Sequence, residues 1–249
     1  MNEEKHWDTI GENYSDEIFD VFKSNKNGKL QSYFKKHANT AYTATDFGCG
    51  IGKAFQYLAP CFKKVLAIDI SENLLEIARS KEYPNISFKR LDLTESDLRL
   101  PATDFAFCCN VAILPDLAKN VSIIQNIHKS LRTNGKAIIV VPSLESALFS
   151  SWRLIDWYKQ EGVNADEIPK DELHVRSGIE TAQGLIYIDG VPTKHYLQSE
   201  LEALFSSINF SINIIDKLKY DWSTEFDSPP AWMKEPYPWD WLVECVKNR

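Results

Sequence analysis

The chain has 249 residues, 44% of them hydrophobic, which is enough for one large domain with a sizeable core. Its 28 basic and 35 acidic residues leave a net charge of −7, the wrong sign for affinity built on phosphate neutralisation, so nucleic acid is not expected as a partner. The longest apolar runs, Val65 to Ile68 and Ala137 to Val141, are strand-sized. They fall far short of the roughly 20 residues of a membrane helix, and Met1 to Trp7 does not resemble a secretory leader, so a cytoplasmic protein without a membrane partner is expected.

Residues 1–40 read as two helices: Trp7, Ile10, Tyr14, Ile18, Val21 and Phe22 share one helical stripe, and Leu30, Tyr33, Phe34 and His37 form another beyond Asn27-Gly28. Strand-like and helix-like stretches then alternate from Thr43 to Ser143, which implies crossover units around a parallel sheet. Thr43 to Phe47 is the first strand, ending at Gly48-Cys49-Gly50-Ile51-Gly52, and Ala54, Phe55 and Leu58 mark a short helix. Lys64 to Asp69 is the second strand, after which Ser71 caps a helix carrying Leu74, Leu75, Ile77 and Ala78. Ile86 to Leu91 and Phe105 to Val111 are the third and fourth strands. A helix from about Lys119 to Leu131 stops near Asn134-Gly135, and Lys136 to Val141 is the fifth strand.

An insertion over 144–196 follows, with Trp152, Leu154, Ile155, Trp157 and Tyr158 on a helix and a hairpin turning at Asp189-Gly190. Leu197, Leu201, Leu204 and Phe205 mark a further helix. Phe210 to Tyr220 and Trp241 to Val246 complete the sheet as a terminal hairpin with a long Pro- and Trp-rich loop between them. The whole reads as one domain over 1–249: α/β, doubly wound around a mostly parallel seven-stranded sheet, with an N-terminal helical cover at 1–40.

Glycines at 48, 50 and 52 let the backbone approach a ligand closely, and Asp69, nineteen residues after Gly50 at the end of the second strand, can accept both hydroxyls of a ribose. Loop, spacing and acid together point to a nucleoside-bearing cofactor. The five cysteines are odd in number and form no C-x-x-C pair, so buried thiols are expected in place of disulfides. The five histidines lack ligand spacing, so no metal site is expected.

At these residues the chain resembles the class I S-adenosylmethionine-dependent methyltransferases, from about Thr43 to Ser143 and more weakly to Val246. Asp46-Phe47-Gly48-Cys49-Gly50-Ile51-Gly52 is similar to the family's D-x-G-x-G-x-G loop, which implies a place for Asp46, Gly48, Cys49, Gly50 and Gly52 beside the methionine end of the cofactor. The resemblance further implies that Asp69 holds the ribose, Ile70 packs on the adenine, and Asp92 with Leu93 contacts the adenine edge. Asn110 and Val111 would border the methionine and the acceptor, and Tyr14 would fold over the cofactor. Leu131 to Lys136 resembles the turn before the fifth strand, with Thr133 and Asn134 in place of Pro and Gly. The His that many small-molecule relatives carry after the fourth strand is replaced by Ile113-Leu114-Pro115, and the N/D-P-P-Y/F tetrapeptide of base and Gln amino methylases is absent.

Methyl transfer from a sulfonium needs mainly alignment and exclusion of water, with a base only where the acceptor must lose a proton. His195, Tyr187 and Tyr14 are the catalytic candidates, with His6 a weaker one, and Trp152, Trp157, Tyr158 and Tyr187 can supply apolar walls. The expected reaction is methyl transfer to a small-molecule acceptor by in-line displacement. A protein side chain as acceptor, an NAD-dependent oxidoreductase and a non-catalytic cofactor-binding scaffold stand as alternatives. The oxidoreductase is opposed by the closer glycine spacing and by Asp46 beside a loop that would have to receive a pyrophosphate.

Overall fold

A computed structural model describes residues 20–248 apart from 97, 165, 170–171, 174–177 and 189. In chain order the first elements are α1 (Val21–Ser24), a 3-10 turn at Lys26–Gly28, α2 (Lys29–His37), β1 (Asn39–Phe47), α3 (Phe55–Cys61), β2 (Phe62–Asp69), α4 (Glu72–Arg79) and β3 (Ile86–Arg90). They are followed by β4 (Thr103–Cys109), α5 (Leu117–Ser130), β5 (Leu131–Pro142), α6 (Leu144–Gln160), α7 (Ile179–Ala182), β6 (Leu185–Ile188) and β7 (Val191–Lys194). The chain ends with α8 (Gln198–Ser207), β8 (Phe210–Lys219), a 3-10 turn at Trp222–Thr224 and β9 (Trp239–Lys247).

Seven strands form one sheet in the order β3-β2-β1-β4-β5-β9-β8. The pairs among β1 to β5 are parallel, and β9 runs antiparallel to both β5 and β8. The doubly wound, mostly parallel seven-stranded sheet expected from the sequence is therefore present. Because side chains alternate along a strand, Phe105 and Phe107 of β4 and Ile138 and Val140 of β5 point to one face, joining Phe22, Leu30, Phe34 and Leu58. Ala106, Cys108, Ala137 and Ile139 point to the other, under Ile123, Ile124 and Ile127 of α5 and Leu201 and Phe205 of α8.

Local chemistry sets the helix starts. Ser71 Oγ accepts the Leu74 amide at 3.2 Å, as the sequence predicts, and Ser143 Oγ accepts the Ser146 amide at 3.0 Å to start α6. The stripe Leu30, Tyr33, Phe34 and His37 on α2 is buried throughout. Several boundaries differ from the sequence reading, among them the following. The first strand starts at Asn39 instead of Thr43, its outer half reaching β2 only through a register shift between Asn39 and Thr43. Helix α5 ends at Ser130, and the left-handed Asn134 (φ 63°) lies in the irregular start of β5, where the register against β4 also shifts. The final strand begins at Trp239.

The insertion leaves and rejoins the sheet at one place, where Ser143 bridges Tyr196 and the Tyr196 hydroxyl donates to the Ala112 carbonyl at 2.7 Å. Its hairpin β6-β7 pairs Ile188 with Val191, with Gly190 at φ 80° in the turn. Among the described residues no helix is long and apolar enough to cross a membrane. Tyr14 and His6, with the stripe from Trp7 to Ile18, lie outside the described residues.

Candidate active site

The carboxyl ends of β1, β2 and β4 meet at one edge of the sheet, where ligands of open α/β folds bind. After Phe47 the chain turns sharply: the Gly48 and Cys49 amides both donate to the Ile68 carbonyl, at 2.8 and 2.9 Å, which ties the loop to the end of β2. Gly48 sits at φ +69°, and a Cβ built on it would lie 2.2 Å from Val111 Cγ2. The glycine is required twice over, by its left-handed backbone and by the close approach of the segment after β4.

Asp69 closes the loop from below. Its Oδ2 accepts the Gly50 amide at 2.8 Å and its Oδ1 accepts the Ser71 amide at 3.0 Å. The pair of bonds fixes the carboxylate plane at the end of β2. Asp46, one strand away, is almost fully buried, and its Oδ2 finds no hydrogen-bond partner. Burial, followed by the nearby charge of Asp69, pushes its carboxyl up to about 8. Asn110, held in the left-handed region at φ 55° with its amide on the Val140 carbonyl, likewise has a buried Oδ1 without a partner. Two orphaned oxygens beside a glycine cradle fit a polar, cationic cofactor end, because each needs a donor or positive group to offset its desolvation.

The other sequence candidates spread outward from this centre. Asp92 turns its Oδ1 back onto the Thr94 amide and hydroxyl, at 2.8 and 2.7 Å, while Leu93 is buried in the core under α5. Ile70 is half-buried, and its carbonyl accepts the Arg90 Nε at 3.2 Å. Tyr187 and His195 lie in the insertion with local partners: the Tyr187 hydroxyl donates to Glu180 at 3.2 Å, and the buried His195 places Nδ1 3.0 Å from the Thr193 carbonyl. The structure thus gathers Asp46, Gly48, Gly50, Asp69, Asn110 and Val111, while His195 stands between Lys194, whose amide donates to the Ile113 carbonyl at 2.8 Å, and Tyr196, whose hydroxyl donates to the Ala112 carbonyl at 2.7 Å.

Asp240, Tyr220 and Glu225 carry no sequence signal that singles them out. Asp240, the second residue of β9, lies at the same sheet edge, accepts the Tyr220 hydroxyl at 2.8 Å and is hydrogen-bonded by the Asn110 side chain. Burial is the main reason its carboxyl rises to about 7, and the charge of Glu225 adds to it. Only the antiparallel return of the last strand brings 240 beside 110, so no local pattern could have announced it.

A cavity of about 340 Å³ opens between α6, which leaves the carboxyl end of β5, and residues 225–227, which follow β8. Trp157 and Tyr158 line it with Phe226. Trp152, expected as a wall, is 55% exposed and stacks on Phe149 instead, because it lies on another face of the same helix.

The methyltransferase-domain family matches residues 44–135. No curated protein matches the chain in sequence. Among solved structures it is similar to a SAM-dependent methyltransferase of Methanosarcina mazei, at 16% identity over 87% of this chain and 97% of that one, with a TM-score of 0.61. It is also similar to the magnesium protoporphyrin IX methyltransferase of Synechocystis with bound SAH (16%, 98% of each chain, TM-score 0.61). A third is the N-methyltransferase NodS of Bradyrhizobium japonicum in complex with SAH (12%, 100% of each chain, TM-score 0.61).

Proposed function

Residues 44–135 are a methyltransferase domain in the class I fold, with S-adenosylmethionine as its cofactor, and from that premise we propose that the protein methylates a small molecule. The cofactor supplies an activated methyl group on a sulfonium. Everything else is the work of this chain: to bind, to orient and to exclude water.

In this reading Asp69, oriented by the Gly50 and Ser71 amides, takes the ribose hydroxyls. The loop Gly48, Cys49, Gly50 and Gly52 lies against the methionine end, where the unpartnered oxygens of Asp46 and Asn110 meet its ammonium. Ile70 and Leu93 flank the adenine, Asp92 faces its amino edge, and Val111 borders the reacting side. Tyr14 remains the proposed aromatic cover, and Tyr187 and His195 remain candidate proton acceptors from the insertion. Asp240 with Tyr220 joins them, since a carboxyl lifted to about 7 can exchange a proton near neutral pH.

The observation that carries the small-molecule reading is the cavity of about 340 Å³ between α6 and residues 225–227, a volume that suits a metabolite. The net charge of −7 supports it by disfavouring polyanionic partners. The test is methyl transfer from labelled cofactor to a metabolite extract and, separately, to protein and RNA. Label in a small product, lost in Asp240→Asn, is expected; label confined to the macromolecular fractions would overturn the reading.

A further inference from the structure

We propose, building on the methyltransferase reading above, that the acceptor is an organic amine held as its ammonium ion in the cavity between α6 and residues 225–227. The argument starts from spacing. Leu154, Trp157, Tyr158 and Glu161 recur at helical intervals and so present one face of α6 to the cavity.

That face is built from aromatic rings whose polar ends are already engaged by acids. The Trp157 indole N–H donates to Glu161 at 2.6 Å, and the Tyr158 hydroxyl donates to Glu172. Across the cavity Phe226 meets Trp157 edge-on at 6.1 Å and stacks on Trp222 at 5.7 Å. Ring faces carry negative potential and attract cations, most strongly where water is partly excluded.

Acidic side chains make up the charged part of the cavity lining, and the Arg153 guanidinium, which is not part of that lining, sits 5.5 Å from the Trp222 ring. Glu161, Glu172, Glu225 and Asp227 line the cavity, and among the described residues no Lys or Arg does. Glu161 and Glu172 accept bonds from the aromatic walls, and these neutral donors bring no positive charge with them. Such a site favours an ammonium over an equally large alcohol and repels a carboxylate.

A second, independent relationship connects the cavity to the reacting edge. The Glu225 carboxylate acts on both Asp240 and Tyr220, and Asp240 is hydrogen-bonded by Asn110 at the end of β4. Glu225 on the cavity wall thus lies close enough to Asp240 and Tyr220 for its charge to be felt at both. Transfer to an amine balances without a further reactant. The ammonium gives one proton to a carboxylate such as Asp240, and the nitrogen lone pair forms the N–C bond. The S–C bond breaks with its electron pair left on sulfur, and the methylated nitrogen carries the positive charge.

The test is calorimetric titration of the full chain, with and without saturating S-adenosylhomocysteine, using phenethylamine and tyramine as ammonium probes. 2-Phenylethanol and phenylacetate serve as the neutral and anionic counterparts. An amine preference of roughly 10-fold or more over the alcohol is expected, with phenylacetate weakest. Glu225→Gln and Glu172→Gln, each nearly isosteric, should cut amine affinity about 5-fold or more in at least one case while leaving affinity for S-adenosylhomocysteine unchanged. Alcohol binding as tight as amine, no amine binding in either state, or full amine affinity in both variants would overturn the proposal. S-adenosylhomocysteine binding without amine preference sinks this inference alone, whereas failure of the protein to bind S-adenosylhomocysteine sinks the reading on which it rests.

Discussion

Gly50 and Asp69 are joined by a 2.8 Å hydrogen bond from the Gly50 amide to the Asp69 Oδ2, across nineteen residues of chain. The carboxylate proposed to hold the ribose is thus also the strut of the glycine loop. A second bond, from the Ser71 amide to Oδ1, ties the same group to the start of α4.

Asp69→Ala should therefore do two things at once. Loss of a charge-assisted acceptor for two hydroxyls costs about 2–3 kcal/mol of cofactor binding, or roughly 30- to 150-fold. Loss of the two backbone bonds also lowers the melting temperature of the unliganded protein. Calorimetric titration with S-adenosylhomocysteine reads the first and differential scanning calorimetry the second. Unchanged affinity would remove Asp69 from the cofactor site, and unchanged melting would show that the loop does not depend on it.

Gly48→Ala tests the close approach of Val111. The left-handed backbone alone costs an L-residue about 1–2 kcal/mol, and overpacking a Cβ placed 2.2 Å from Val111 Cγ2 adds about 1–3 kcal/mol. Gly162, at φ +85° with nothing within 4 Å, supplies the control, since Gly162→Ala carries only the backbone part. Urea unfolding should rank Gly48→Ala well below Gly162→Ala in stability. Adding Val111→Ala to Gly48→Ala should recover part of the deficit, and equal losses at the two glycines would refute the packing argument.

The sheet and its loop were legible in the sequence because their signals are local. Apolar strand-sized runs, Ser71 before a helical stripe, and Asp46 to Gly52 between a strand and a helix each sit within a dozen residues. Asp240 was not legible, because it faces Asn110 only through the antiparallel pairing of β9 with β5, which sets Pro142 opposite Asp240. Trp152 and Trp157 show a related limit: both belong to one aromatic stretch, and only the packed helix decides that Trp157 lines the cavity while Trp152 faces solvent. The acids at 225 and 227 lay in a segment read as loop, where no periodicity indicates a facing partner.

Glu244 provides a test of how the N-terminal helices are anchored. Its buried carboxylate accepts Lys36 Nζ at 2.6 Å and the Asn213 side-chain amide at 3.0 Å, with His37 Nε2 3.2 Å away. Burial alone would raise its pKa, but the bonds from Lys36 and Asn213, with the nearby His37 ring, outweigh burial and hold it below 4.5. The folded value is depressed, so the stabilisation is present above pH 4.5 and is lost as pH falls through the folded value. Glu244→Gln should lower stability at pH 7 and converge with the parent protein in acid. A deficit that stays constant down to pH 2 in urea titrations would show that the charge is not its source.

Asp46 gives the opposite pH dependence, and its sign separates an empty-handed carboxyl from one that has found its cation. In the unliganded protein burial and Asp69 lift its pKa from 3.8 to about 8, so between those values the folded state holds a proton that the unfolded state has released. Folding is then linked to proton uptake, and stability falls as pH rises from about 4 to about 8, levelling above that. Asp46→Asn removes the titrating group and should flatten this limb, leaving the variant more stable than the parent at pH 8 by upwards of about 1 kcal/mol. Binding runs the other way. A cationic cofactor end beside Asp46 prefers the ionised carboxylate, so affinity for S-adenosylhomocysteine should rise with pH between 6 and 8 in the parent and stay level in Asp46→Asn. Urea melts at pH 5 and 8 and calorimetric titrations over the same range measure both limbs. If parent and variant share one pH profile for binding, Asp46 does not face the cofactor's positive charge, and the unpartnered oxygen needs another explanation.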